Sequence, residues 1–350
     1  MIFRLAQLPF GPGDHRSEST YGPVTTYAHP NSQMDTNMKA LGFIALWTLT
    51  LLSPRTTQGD DSLIAEGAQV KKIASGMKFT EGPVWLTDEN KLVFSDIPNS
   101  KLMQWSESKG LSEFRKSEQA NGNILDLEGR IISCQHAGRN IIRINKDGST
   151  KVLVDKFDGK RFNSPNDVAI RSDGTLWFTD PPWGLRGKHE IPGHWVYKWD
   201  PETQKAEVIY KYMAMPNGIV FSPDEKRIYI ADTGGHPRHP DPKFHKYPAS
   251  IQCFTIGEDG KLGKRLFTID AGSDGMAVDV QGNLYTTHAG KVIVYNADGK
   301  EIQKINVPEG PANVCFGGKD FMTLFITART SLYSVKLKVA GAKPKAMTEE

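Results

Sequence analysis

Cysteine is scarce in this 350-residue chain, and what there is does not pair by spacing. Cys134, Cys253 and Cys315 form no CxxC, and their number is odd. Neither a disulfide framework nor a cysteine-ligated zinc site follows. Cys134 and Cys315 lie in strand-like runs and are expected to be small buried hydrophobes. A surplus of one charge is also missing. The formal net charge is +3, with Lys and Arg interspersed among Asp and Glu, so no basic face is offered to nucleic acid. Aromatic residues sit inside apolar runs rather than among basic ones, which argues against a single-strand stacking platform. No G-x-S-x-G run occurs, which disfavours a serine-esterase mechanism. Helix signals are almost absent beyond residue 60. No apolar run reaches the roughly 20 residues that a membrane helix requires.

The first 59 residues differ from the rest. Residues 1–37 are rich in Pro, Gly, Ser, Thr and His and show no period. Residues 38–52 (MKALGFIALWTLTLL) have a short basic start and an apolar stretch, and a polar segment with small residues follows. This reads as a secretory signal peptide over 38–59 that begins at Met38. Residues 1–37 would then be an extension upstream of the true start, and the mature chain periplasmic or secreted. Residues 60–340 are expected to form one domain, and 341–350 a disordered tail.

What is abundant is a repeat. Six times, a short apolar run ends in a small residue: Ser95, Ser133, Thr179, Ala231, Thr287 and Thr327. An oxygen-bearing polar residue stands 12 to 14 positions earlier each time: Glu81, Asn121, Asn166, Asn217, Asp274 and Asn313. The small residues are 38 to 56 positions apart, the range of propeller blades of about four strands. Asp-Gly pairs at 147–148, 173–174, 259–260 and 298–299 supply hairpin turns between the runs. The expected fold is all-β, a six-bladed β-propeller. Blades should start near 81, 121, 166, 217, 274 and 313, with residues 69–73 supplying the strand that closes the last. Long Gly-, Pro- and His-rich loops at 181–194 and 234–248 should shape an entrance.

In a propeller the first strand of each blade lines the central channel, so the six polar residues form a ring. Asn and Asp are common turn formers, but Glu81 is not, and six occurrences in register exceed what turns require. Carboxylates and carboxamides without His or Cys are the donor set of a hard divalent cation, Ca2+ first, with Mg2+ or Mn2+ possible and Zn2+ less suited. Glu81, Asn166, Asn217 and Asp274 together offer two negative charges and two neutral oxygens.

The segments EGPVW (81–85), ANGNILDLEGRIISCQHAGR (120–139), NSPNDVAIRSDGTLWFTDPPWGL (163–185), PNGIVFSPDEKRIYIADT (216–233) and SDGMAVDVQGNLYTTHAGKVIVY (273–295) resemble the SMP-30/gluconolactonase/luciferin-regenerating-enzyme-like family, bacterial branch above all. That resemblance implies a propeller with one divalent ion in its channel, ligated by Glu81, Asn166, Asn217 and Asp274. It implies hydrolysis of a small-molecule sugar lactone, with Asp274 also the general base. Asn121, His136, Arg139 and His288 are implied as substrate contacts. Animal members carry Arg two residues before the Asn121 position, where this chain has Gln119. Asn313 receives no role from the resemblance. The competing expectations are a metal-dependent phosphotriesterase-like hydrolase and a non-catalytic calcium- or ligand-binding propeller.

Overall fold

The computed structural model describes residues 62–343, apart from Arg238. The expected signal peptide at 38–59 lies outside the described residues. Within them, strands alternate with tight turns, and the only helical elements are two 3-10 turns, Ile97–Asn99 and Pro242–Phe244. No helix among the described residues is long and apolar enough to cross a membrane.

Six four-stranded antiparallel sheets follow one another along the chain, with a two-stranded hairpin besides. The inner strands are Thr80–Leu86, Ala120–Leu125, Val168–Ile170, Pro216–Phe221, Met276–Val278 and Pro311–Gly317. Five sheets use four consecutive strands each. The sixth is completed by Lys71–Ser75, which pairs antiparallel with Ser331–Lys336. The expected closing segment is therefore the closing strand, displaced by two residues. Closure leaves the ring of blades without a free edge at its seam. Lys72 reinforces it with a 2.8 Å ion pair to Glu309.

Blades pack face to face through apolar clusters. Tyr285, Val292 and Val294 of blade 5 meet Val314, Phe316 and Tyr333 of blade 6. At the seam, Trp85 of blade 1 stacks on Phe325 of blade 6, with centroids 5.2 Å apart and planes at 11°. Gly317 permits this, because a Cβ there would lie 2.6 Å from the Trp85 ring. Cys134 and Cys253 are buried, whereas Cys315 is only half-buried.

The Asp-Gly turns behave as expected, with one refinement. Gly148, Gly174, Gly260 and Gly299 take φ from +67° to +83°, but the preceding Asp residues do not. Each glycine N–H closes the turn on the carbonyl three residues before it, as in Gly148 to Asn145 at 2.9 Å. Gly341 and Ala342, expected in the tail, are instead hydrogen-bonded to Phe321 and Val278.

Candidate active site

The small residue at three of the second-strand ends has a mechanical explanation. Ser95 of blade 1 donates its hydroxyl to the Asn121 carbonyl of blade 2 at 2.6 Å. Thr179 of blade 3 does the same to Asn217 of blade 4 at 2.8 Å, and Thr287 of blade 5 to Ala312 of blade 6 at 2.8 Å. A short hydroxyl side chain thus fixes the neighbouring blade's backbone at the ring. The next residue clamps the incoming loop. Asp96 accepts from the N–H groups of Lys78 and Phe79, Asp180 from Asn163 and Ser164, and Asp232 from Ala214 and Met215. Gln135 takes this place in blade 2. Each clamp determines where the chain turns inward to its ring residue.

The six ring residues do converge. Glu81, Asn121, Asn166, Asn217 and Asn313 are each no more than 7% exposed, and Asp274 is half-buried. Asn121 Nδ2 donates to Asn166 Oδ1, and Asn166 Nδ2 donates to Asn217 Oδ1, both at 2.5 Å. Asp274 accepts from Asn217 and from Glu81. Asn313 Nδ2 donates to Glu81 Oε2 at 2.9 Å. The contacts run from blade 2 through blades 3, 4 and 5 to Glu81 of blade 1, and from Glu81 to Asn313 of blade 6. Asn313, to which the resemblance gave no role, holds the Glu81 carboxyl.

Four ring residues are followed by glycine (Gly82, Gly122, Gly218 and Gly275). These glycines let the next blade's chain come close. At Gly82, with φ +48°, a Cβ would lie 1.9 Å from the Asn121 carbonyl oxygen. At Gly275 it would lie 1.9 Å from Asn313 Cγ. Blade 3 breaks the pattern with Asp167, which sequence reasoning missed. The signal was that break. The Asp167 carboxylate accepts from the Val168 and Ile219 N–H groups, and burial pushes it up to about 7. It lines an apolar cavity of about 220 Å³ in the channel, walled by Val84, Ile124, Ala169, Val220, Val278 and Val314, one from each blade.

The electrostatics of the ring are those of a site short of positive charge. Burial raises Glu81 well above the usual carboxylate range, and the Asp274 charge raises it further. Burial pushes Asp274 up to about 6. Two carboxylates in contact, one buried and one half-buried, cannot both ionise comfortably without a counter-charge, so they share a proton. Among the described residues, no three His, Cys, Asp or Glu side chains gather into a metal-binding group. The ring is instead two carboxylates with carboxamides, and that donor set fits a hard divalent cation.

The expected substrate contacts fall into different places. His136 Nε2 lies 3.0 Å from Asn166 Oδ1 and 3.1 Å from Asn121 Nδ2, so it belongs to the ring. Burial lowers it to about 4, which keeps the imidazole neutral. With Nε2 protonated, His136 and Asn121 both donate to Asn166 Oδ1. Arg139 has other partners. Its Nε donates to the Phe162 carbonyl at 2.6 Å, its Nη2 to Arg161 O, and its Nη1 pairs with Glu190 at 2.8 Å. Those bonds tie the guanidinium to the approach to blade 3 and to the 181–194 loop. His288 is exposed at the end of the Leu284–His288 strand.

Fold and site together define a six-bladed propeller whose channel carries an oxygen-rich ring at one mouth. Residues 79–330 match the SMP-30/gluconolactonase/LRE-like region, and the chain belongs to that family. It is 29% identical over 319 residues to a gluconolactonase of Zymomonas mobilis, covering 84% of this chain and 87% of that one. A solved structure of a gluconolactonase from Xanthomonas campestris superposes with a TM-score of 0.70 at 30% identity, over 79% of this chain and 91% of that one. Bovine regucalcin is 26% identical, over 73% of this chain and 84% of its own.

Proposed function

We propose that the chain is a lactone hydrolase acting on a sugar lactone, with the ring as its catalytic centre. The observation that carries the reading is the pair Glu81–Asp274: a buried and a half-buried carboxylate in contact, with carboxamide oxygens beside them. Glu81, Asn166, Asn217 and Asp274 would hold one divalent cation, Ca2+ before Mg2+, Mn2+ or Zn2+. Bound there, the cation would polarise the lactone carbonyl and stabilise the developing oxyanion.

The chain's own residues do the rest. With a cation beside it, Asp274 would lose the shared proton and be held as a carboxylate at neutral pH. It then accepts a proton from the attacking water at its carboxylate oxygen. Asn166 Oδ1 has two lone pairs, and its present donors are Asn121 and His136. Were Oδ1 to serve a cation, one of those donors would be free for a substrate hydroxyl or carbonyl. Neutral His136 keeps a proton on Nε2 for that purpose. Asn313 holds Glu81 in place and the Arg139 cluster holds the approach to Asn166, so neither needs to touch the sugar. The expected signal peptide extends the proposal to a periplasmic or secreted enzyme.

The test is turnover of glucono-1,5-lactone by chelator-stripped protein, with Ca2+, Mg2+, Mn2+ or Zn2+ added back. Activity should be lost on stripping and restored by Ca2+. Full turnover by the stripped protein would refute the metal part. Turnover by Asp274→Asn at saturating Ca2+ would remove Asp274 from the base role.

A further inference from the structure

The described residues expose few large apolar side chains, and half of those, Val152, Leu266 and Ile302, sit on outer strands. Trp183 does not. It is 45% exposed on the 181–194 loop, which leaves the end of the Leu176–Asp180 strand. The second strands of all six blades end on the face where the ring residues lie, so this loop rises beside the site. Its base is held firmly. Ser164 Oγ donates to the Pro181 carbonyl at 2.6 Å and accepts from Gly184 N–H at 3.0 Å. Ser164 leads directly into Asn166.

The loop lies flush against a ring-contacting residue. A Cβ on Gly184 would stand 2.4 Å from His136 Cβ. Trp183 therefore projects one residue from the His136 contact. Across the mouth it meets His236 of the 234–248 loop in an edge-to-face contact, with centroids 5.8 Å apart at 77°. Such a contact occupies at most one of the indole's two faces. An exposed indole on an anchored loop, beside a ring of polar groups, is a standard means of binding the apolar face of a cyclic sugar.

We propose that Trp183, supported by His236, is the platform on which the ring face of the sugar lactone rests, and that it sets the preference for hydroxylated six-membered lactones over small aliphatic ones. This rests on the lactone-hydrolase reading. The experiment compares kcat/KM on glucono-1,5-lactone and on γ-butyrolactone, which presents a smaller face, for wild type, Trp183→Ala and Trp183→Phe in Ca2+. The Ala variant should lose about tenfold on the sugar lactone, mostly through KM, and its preference ratio should fall in proportion. The Phe variant should keep the ratio within about threefold. Equal losses on both lactones, no loss on either, or a Phe variant as impaired as Ala would each overturn the platform role. If wild type hydrolyses neither lactone with any of the four metals, the hydrolase reading fails and this inference falls with it. Wild-type turnover with an insensitive Ala variant overturns this inference alone.

Discussion

Replacing Asp274 by Asn should make the metal-free protein more stable at neutral pH. Burial pushes Asp274 from 3.8 up to about 6. A raised carboxyl pKa means the folded state holds its proton longer than the unfolded one. The group therefore costs nothing well below its unfolded pKa, and its penalty grows as pH rises towards its folded value. A shift of about two units corresponds to about 3 kcal/mol at pH 7, and to less than about 1 kcal/mol at pH 4. Asn is neutral at both, and its Oδ1 can still accept from Asn217. It also removes the charge that raises Glu81. Urea unfolding in chelator should show Asp274→Asn gaining about 3 kcal/mol over wild type at pH 7, with the gain shrinking towards pH 4. At a thousandfold excess of Ca2+ over the wild-type Kd the order should reverse, because a ligand that binds only the folded state then adds about 4.1 kcal/mol, more than the metal-free gain of the variant, which has lost half the ring's negative charge. A metal-free variant less stable than wild type at pH 7, or a gain that does not change with pH, would refute this account of the ring.

Gly82→Ala should cost more than about 3 kcal/mol in urea unfolding. Left-handed backbone alone accounts for about 1–2 kcal/mol, and the contact with Asn121 O adds to it. Gly148→Ala has φ +83° and nothing within 4 Å of its Cβ, so it should cost only the backbone part and serves as the control. Asp180→Ala leaves the Asn163 and Ser164 N–H groups without their acceptor. It should lower stability by about 2–4 kcal/mol in thermal unfolding and weaken Ca2+ binding through displacement of Asn166. Stripping the metal should raise the pH dependence of wild-type stability between about pH 4 and pH 7, and Ca2+ titration should release protons, measurable by calorimetry in two buffers.

Much of this architecture was legible because a propeller repeats. A returning strand end and a returning polar position are enough to count blades and to place a ring. The closing strand was readable too, since residues 69–73 had no other partner. The hydroxyl bolts were visible only as small residues. That Ser95, Thr179 and Thr287 each reach the next blade requires knowing that blades are adjacent at their second strands. Asp167 was lost inside a motif, because sequence order does not show that its position is glycine in four other blades. Arg139 was expected to contact the sugar because the resemblance implied it. Its engagement by Phe162, Arg161 and Glu190 depends on a loop path that no periodicity encodes. Asn313 had lacked a role because its partner, Glu81, is 232 residues away.

That separation has a consequence for how the enzyme is made. Glu81 leaves the ribosome 232 residues ahead of Asn313, and the Ser331–Lys336 strand follows later still. Until they emerge, the early strand Lys71–Ser75 has nothing to pair with, and Glu81 lacks the amide that holds it. A chain cut short just before the last blade keeps most of its strands but never completes the ring. On the proposed reading, cation capture would wait for the sixth blade, and a product lacking that blade would bind the ion poorly.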